Sequence, residues 1–225
     1  MSIRLQMLMS FGLESIIKDK NRKNMIGVIG GNGVAATNKL CELVEEMYIK
    51  SGAFRDAHHP EMLIWQATQA PSRSMYFEGR GDSFVDDYVR IGSMMKKCGV
   101  DTLCMCCNTA HIVVNELENK IGIPFINLIH QVAKTIAETS GVRKVGIMCS
   151  DGLRKFGTYD QYIKLVAPSV EVVYPDKDNQ ALVTKGICNA KNINKYTEHP
   201  QIYQKSHTRF CNQRRSTCSA ARHPS

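Results

Sequence analysis

The sequence predicts an α/β protein made of two similar halves, each a parallel sheet covered by helices. Three observations carry this. Short β-branched runs alternate with stretches of helical apolar spacing, glycine turns separate them, and the cycle begins again near Gly141.

Met25-Ile-Gly-Val-Ile-Gly30 reads as a strand that ends in glycines, and residues 35–49 follow with apolar residues at helical spacing. Residues 61–66 read as a second strand and 84–98 as a helix. Residues 101–106 read as a buried strand leading into a helix that runs through Leu117. A short strand at 123–127 precedes a helix at 129–138. The second cycle predicts a strand at 144–149, a helix around 159–165, a strand at 170–174 and a helix from 179 to about 190. Strands and helices of these lengths in alternation call for parallel sheets. The domain reading is an extension at 1–24, a first half at 25–140, a second and incomplete half at 141–200, and an atypical tail at 201–225.

The 225 residues, 43% of them hydrophobic, suffice for a sizeable core. Apolar stretches fall short of the ~18 residues of a membrane span, and the charges in the first 24 residues lack the order of a signal peptide. A cytoplasmic location without membrane association is the expectation. The nine cysteines lie largely in apolar runs, as in a reduced protein rather than a disulfide scaffold. The net charge of +8 sits wholly in the ends, because residues 25–200 hold 19 basic and 19 acidic side chains. That leaves no electrostatic footprint for nucleic acid.

The turn Gly30-Gly-Asn32-Gly-Val-Ala-Ala-Thr37 permits two readings. One is a dinucleotide fingerprint, which needs an acidic residue at the end of the second strand. That strand ends Trp65-Gln-Ala-Thr68, with no acid. The other is a turn whose backbone N–H groups, with a helix N-terminus behind them, hold a carboxylate.

Cys104-Met-Cys-Cys107-Asn-Thr-Ala-His111 lies where an apolar strand gives way to a helix, the edge at which open α/β sheets bind ligands. A thiol there is a better acid/base group than a core cysteine. Cys104 and Cys106 read as small buried hydrophobes. Asn108 and Thr109 offer an amide and a hydroxyl to a polar ligand. Cys107 and His111 stand one helical turn apart, yet no further pair completes a tetrahedral metal site, so no metal is expected and His111 reads as structural.

The run Ile29-Gly-Gly-Asn-Gly-Val-Ala-Ala-Thr37, followed by Pro71-Ser-Arg73 and Cys107-Asn-Thr-Ala-His111, resembles the aspartate/glutamate racemases in order and spacing, over roughly residues 25–191. The resemblance implies two α/β halves with four-stranded-type sheets, an active site in the cleft between them, dimers, and racemisation without pyridoxal phosphate, other cofactor or metal. One thiolate removes the α-proton while a second thiol donates from the opposite face, and positioned donors stabilise the developing carbanion.

Residue by residue, the resemblance makes Cys107 the first catalytic cysteine. Asn108 and Thr109 would hold the substrate α-carboxylate, with the adjoining Ala110 also in the substrate-binding set. Arg73 would clamp a side-chain carboxylate, unless it is simply a solvated loop arginine. Asn32, Ser150 and Lys191 complete the substrate-binding set. Asn32 stands where many members carry methionine, and Leu153 and Phe156 replace small hydroxyl residues, which opens the choice between aspartate, glutamate and related substrates.

The family's second cysteine, in a Gly-Cys-Thr-Glu strand end, is missing from its expected place. Cys218 is its nearest stand-in, with Cys211 close by, and neither follows an apolar strand. One account is a shifted reading frame: Cys218-Ser-Ala-Ala-Arg222 has codons that read Leu-Gly-Cys-Thr from the third base. Loss of one acid/base group costs ~10²–10⁴-fold or more, so the tail as written implies weak or lost racemisation. A relative that only binds an acidic ligand, and a nucleotide-dependent oxidoreductase, are the competing readings.

Overall fold

The computed structural model of the chain describes residues 25–190. Strand β1 (Met25–Gly30) is followed by helix α1 (Val34–Lys50), a 3₁₀ turn (Asp56–His58) and strand β2 (Met62–Gln66). Helices α2 (Arg73–Phe77) and α3 (Val85–Lys97) then lead to strand β3 (Val100–Met105). A 3₁₀ segment (Asn108–Val113) runs into α4 (Val114–Ile121), strand β4 (Phe125–Ile126) and α5 (Leu128–Glu138). Strand β5 (Lys144–Gly146), helices α6 (Asp151–Lys155) and α7 (Thr158–Val166), strand β6 (Glu171–Val173) and helix α8 (Lys177–Ala190) complete the described residues.

The first sheet is parallel throughout, in the order β2-β1-β3-β4, with Val28 paired to both Ile64 and Cys104. Its centre is buried on both faces, which explains why β1 and β3 are nearly continuous apolar runs. One face packs Tyr88, Ile91 and Met95 of α3 and Leu117 of α4. The other packs Leu40, Leu43 and Val44 of α1 against Ile26, Val28 and Cys104. Gly92 lets α3 and α4 close up, since a Cβ there would stand 2.5 Å from Ile121 Cδ1.

The second sheet pairs β5 with β6, again in parallel. Its core gathers Ile147, Cys149, Leu153, Tyr159 and Ile163, and it takes in Ile129 and Ala133 of α5. Helix α5, assigned to the first half by the sequence alternation, packs Ile129 and Ala133 against this core. The strand expected at 144–149 stops at Gly146 because its three-residue partner β6 ends there; only the Ile147 N–H to Val173 carbonyl bond extends the ladder. The helix expected directly after Cys107 begins instead as the tighter 3₁₀ segment. No helix among the described residues is long and apolar enough to cross a membrane.

Candidate active site

In the first sheet the chain leaves β1 to build β2 on one side, then returns to lay β3 on the other. The crevice between the carboxyl ends of β1 and β3 is thus a topological switch point, where open α/β sheets take ligands. Ile29 is in register with Met105, so Asn32 follows one strand and Cys107 the other on opposite sides of this crevice.

Cys107 precedes the 3₁₀ segment and is half-buried against the first core, beside Cys106. Cys104 is buried as expected, whereas Cys106 is half-buried against the core on the α1 face. Burial pushes the Cys104 thiol well above its ordinary range, and pushes Cys106 up to about 11 despite its hydrogen bond with Thr37. Neither is an acid/base group at neutral pH.

His111 anchors the cysteine from behind. Its Nδ1 lies 2.8 Å from the Cys107 carbonyl, and its Nε2 lies 3.2 Å from the Leu128 N–H. The Leu128 amide can only donate, so Nε2 is unprotonated and Nδ1–H donates to Cys107. Burial lowers the His111 pKa, which keeps this neutral tautomer. The ring ties the end of β3 to the start of α5, and both its nitrogens are used.

Thr109 is buried, and its Oγ1 lies 3.3 Å from Ser150 Oγ, at the mouth of the second core. Ser150 also caps α6 by accepting from the Leu153 N–H at 3.4 Å. Asn108 is exposed. Ala110 is buried in the first core, and its N–H donates to the Cys107 carbonyl. It shapes the turn.

Arg73 opens α2 behind the Ser72 cap, and its Nη1 donates to the carbonyls of Ala70 and Pro71 at 3.4 and 3.0 Å. It is half-buried, not a solvated loop arginine. Its Nε is buried with no partner. Asn32 is buried and donates through Nδ2 to the Ile29 carbonyl and to the Tyr88 hydroxyl. Tyr88 was not singled out by the sequence. Its signal is a tyrosine among the core positions of α3, because a buried hydroxyl must find a partner.

The two departures after Ser150 are absorbed by packing. Leu153 is a core residue, and the largely exposed Phe156 meets Phe77 edge-on with ring centroids 5.0 Å apart. Lys191, Cys211 and Cys218 lie outside the described residues. Among those described, no group of histidine, cysteine and carboxylate side chains is gathered as a metal centre would require.

A family model described as Asp/Glu/Hydantoin racemase matches residues 26–199. The chain belongs to this family. As a racemase of the family it is an isomerase acting on a small amino-acid substrate. It is similar to the broad specificity amino-acid racemase RacX of Bacillus subtilis, at 23% identity over 164 residues that make up 70% of this chain and 67% of that protein. In fold it is similar to the Picrophilus torridus aspartate racemase, with a TM-score of 0.69, 23% identity, and coverage of 86% of this chain and 77% of the other. An aspartate racemase homologue from Pyrococcus horikoshii gives a TM-score of 0.54 at 24% identity, covering 74% and 70%.

Proposed function

We propose that this racemase exchanges the α-proton of an acidic amino acid, aspartate or glutamate, with Cys107 as a proton-transferring thiol and no cofactor. The observation that carries the reading is the position of Cys107. It sits at the switch-point crevice, held from behind by His111, with Thr109 beside it reaching Ser150 of the second core. Cys107 as thiolate takes the α-proton. Asn108, Thr109 and Ser150 bind the α-carboxylate and stabilise the charge that develops next to it. Arg73, whose buried Nε lacks a partner, takes the side-chain carboxylate.

Inversion needs a second donor on the opposite face, the role assigned to Cys218, and Lys191 completes the binding set. Within the described second half, Cys149 is no substitute. It is buried in the second core, and burial pushes its thiol up to about 12. That observation favours one competing reading, a relative that only binds an acidic ligand.

Chiral chromatography of the purified chain with L-aspartate, L-glutamate and L-alanine, without added cofactor, tests the proposal. Inversion of an acidic substrate over alanine is expected. Preference for alanine would overturn the acidic assignment, and binding of aspartate without inversion would establish the second reading.

A further inference from the structure

The amide of Asn32 is locked in one orientation. Its Nδ2 lies 3.1 Å from the Ile29 carbonyl and 2.8 Å from the Tyr88 hydroxyl. A backbone carbonyl can only accept, so the atom facing it must be the nitrogen, and the assignment of oxygen and nitrogen follows. Tyr88, fully buried on α3 and 56 positions away in sequence, takes the second amide proton. The consequence falls on Oδ1. Asn32 is 8% exposed, and its Oδ1 is buried without a donor. Buried acceptors in native proteins are almost always paired, so one left open beside a ligand crevice calls for a ligand donor.

The neighbourhood is that of the thiol. The Tyr88 hydroxyl, raised to about 12 by burial, also feels the Arg73 cation and the Cys106 and Cys107 sulfurs. Glycines at φ 74° and 156° flank Asn32, which sets the turn that carries its side chain.

We propose that Asn32 Oδ1 accepts a hydrogen bond from the α-ammonium of the substrate, with the Ile29 carbonyl fixing which amide atom is the oxygen and Tyr88 the positioning residue that anchors the amide by taking its second proton. The inference rests on the reading of the crevice as the racemase site. It makes Asn32 the residue that distinguishes an α-amino acid, with an ionised donor on the α-carbon, from the dicarboxylate that lacks one. A charge-assisted bond of this kind corresponds to at least about a tenfold preference.

Titration calorimetry of the full chain with L-aspartate against succinate, and L-glutamate against glutarate, separates the ammonium from the carboxylates. The wild-type chain is expected to favour the amino acid by tenfold or more. Asn32→Leu is expected to bring the ratio within about twofold. Tyr88→Phe, which keeps the ring packing, lowers the ratio several-fold and guards against misfolding of the first variant. Such a ratio is indifferent to a general loss of stability. A ratio unchanged in both variants overturns the inference and leaves the racemase reading intact. Failure of the wild-type chain to bind either amino acid overturns both.

Discussion

Replacing His111 by alanine removes two hydrogen bonds, to the Cys107 carbonyl and from the Leu128 N–H, and empties the space of a fully buried ring. Each bond contributes about 0.5–1.5 kcal/mol, and the orphaned backbone groups and cavity add to the loss, giving about 2–4 kcal/mol in all. At roughly 2–4 °C per kcal/mol for a chain of this size, thermal unfolding at pH 8 should shift down by about 4–16 °C. His111→Gln, which can still accept from Leu128, should lose about half as much. The pH dependence gives a sharper test. The folded-state pKa of His111 lies below the unfolded value of about 6.5, so the unfolded chain binds the proton first. The neutral ring's stabilisation is therefore complete above pH 6.5 and declines as pH falls towards the folded pKa, by up to about 1.4 kcal/mol per pH unit. The deficit of His111→Gln relative to wild type should therefore narrow between pH 8 and pH 5.5. Circular dichroism melts of the three proteins at both pH values measure this. A deficit that is the same at both, or an alanine variant within about 0.5 kcal/mol of wild type at pH 8, would refute the assignment of a neutral, doubly bonded histidine.

Thr109→Val keeps the side-chain shape and removes the hydroxyl that meets Ser150. It should cost at most about 1.5 kcal/mol of stability yet raise KM for an acidic amino acid about tenfold, and an unchanged KM would remove Thr109 from the carboxylate site. Gly31→Ala places a Cβ 2.7 Å from Ala67 N and 2.9 Å from Gln66 C, at φ 74°. Those are backbone atoms that cannot swing aside, so a chemical denaturation midpoint equivalent to a loss of at least about 2 kcal/mol is expected. A midpoint within error of wild type would contradict the turn geometry.

Sequence and structure agree where the local pattern and the tertiary environment ask for the same thing. Strands β1 and β3 are apolar because they are buried on both faces, so their runs marked them. Helices α2 and α6 were not foreseen, since five residues are too few to show periodicity. Their one signal was a serine cap, Ser72 and Ser150, each accepting from the N–H three residues on. The placement of α5 was invisible because it depends on Ile129 and Ala133 finding Ile147 and Ile163 rather than the sheet they follow. Within the site, Cys107, Asn108 and Thr109 are contiguous and therefore legible, as was the structural part of His111. The meeting of Thr109 with Ser150, and of Asn32 with Tyr88, spans 41 and 56 positions and is a product of topology. Arg73 was visible as a residue, but the use of its Nη1 on its own loop was not.

The central claim is that Cys107 carries the α-proton. The direct measurement is deuterium incorporation at the α-carbon of each enantiomer of aspartate and glutamate in D₂O, without cofactor, for wild type and Cys107→Ala. A single working thiol exchanges the hydrogen of one enantiomer even where inversion is slow, because the proton can be taken and returned on the same face. The account predicts that Cys107→Ala loses this exchange by ~100-fold or more. Exchange at the wild-type rate in that variant would contradict it.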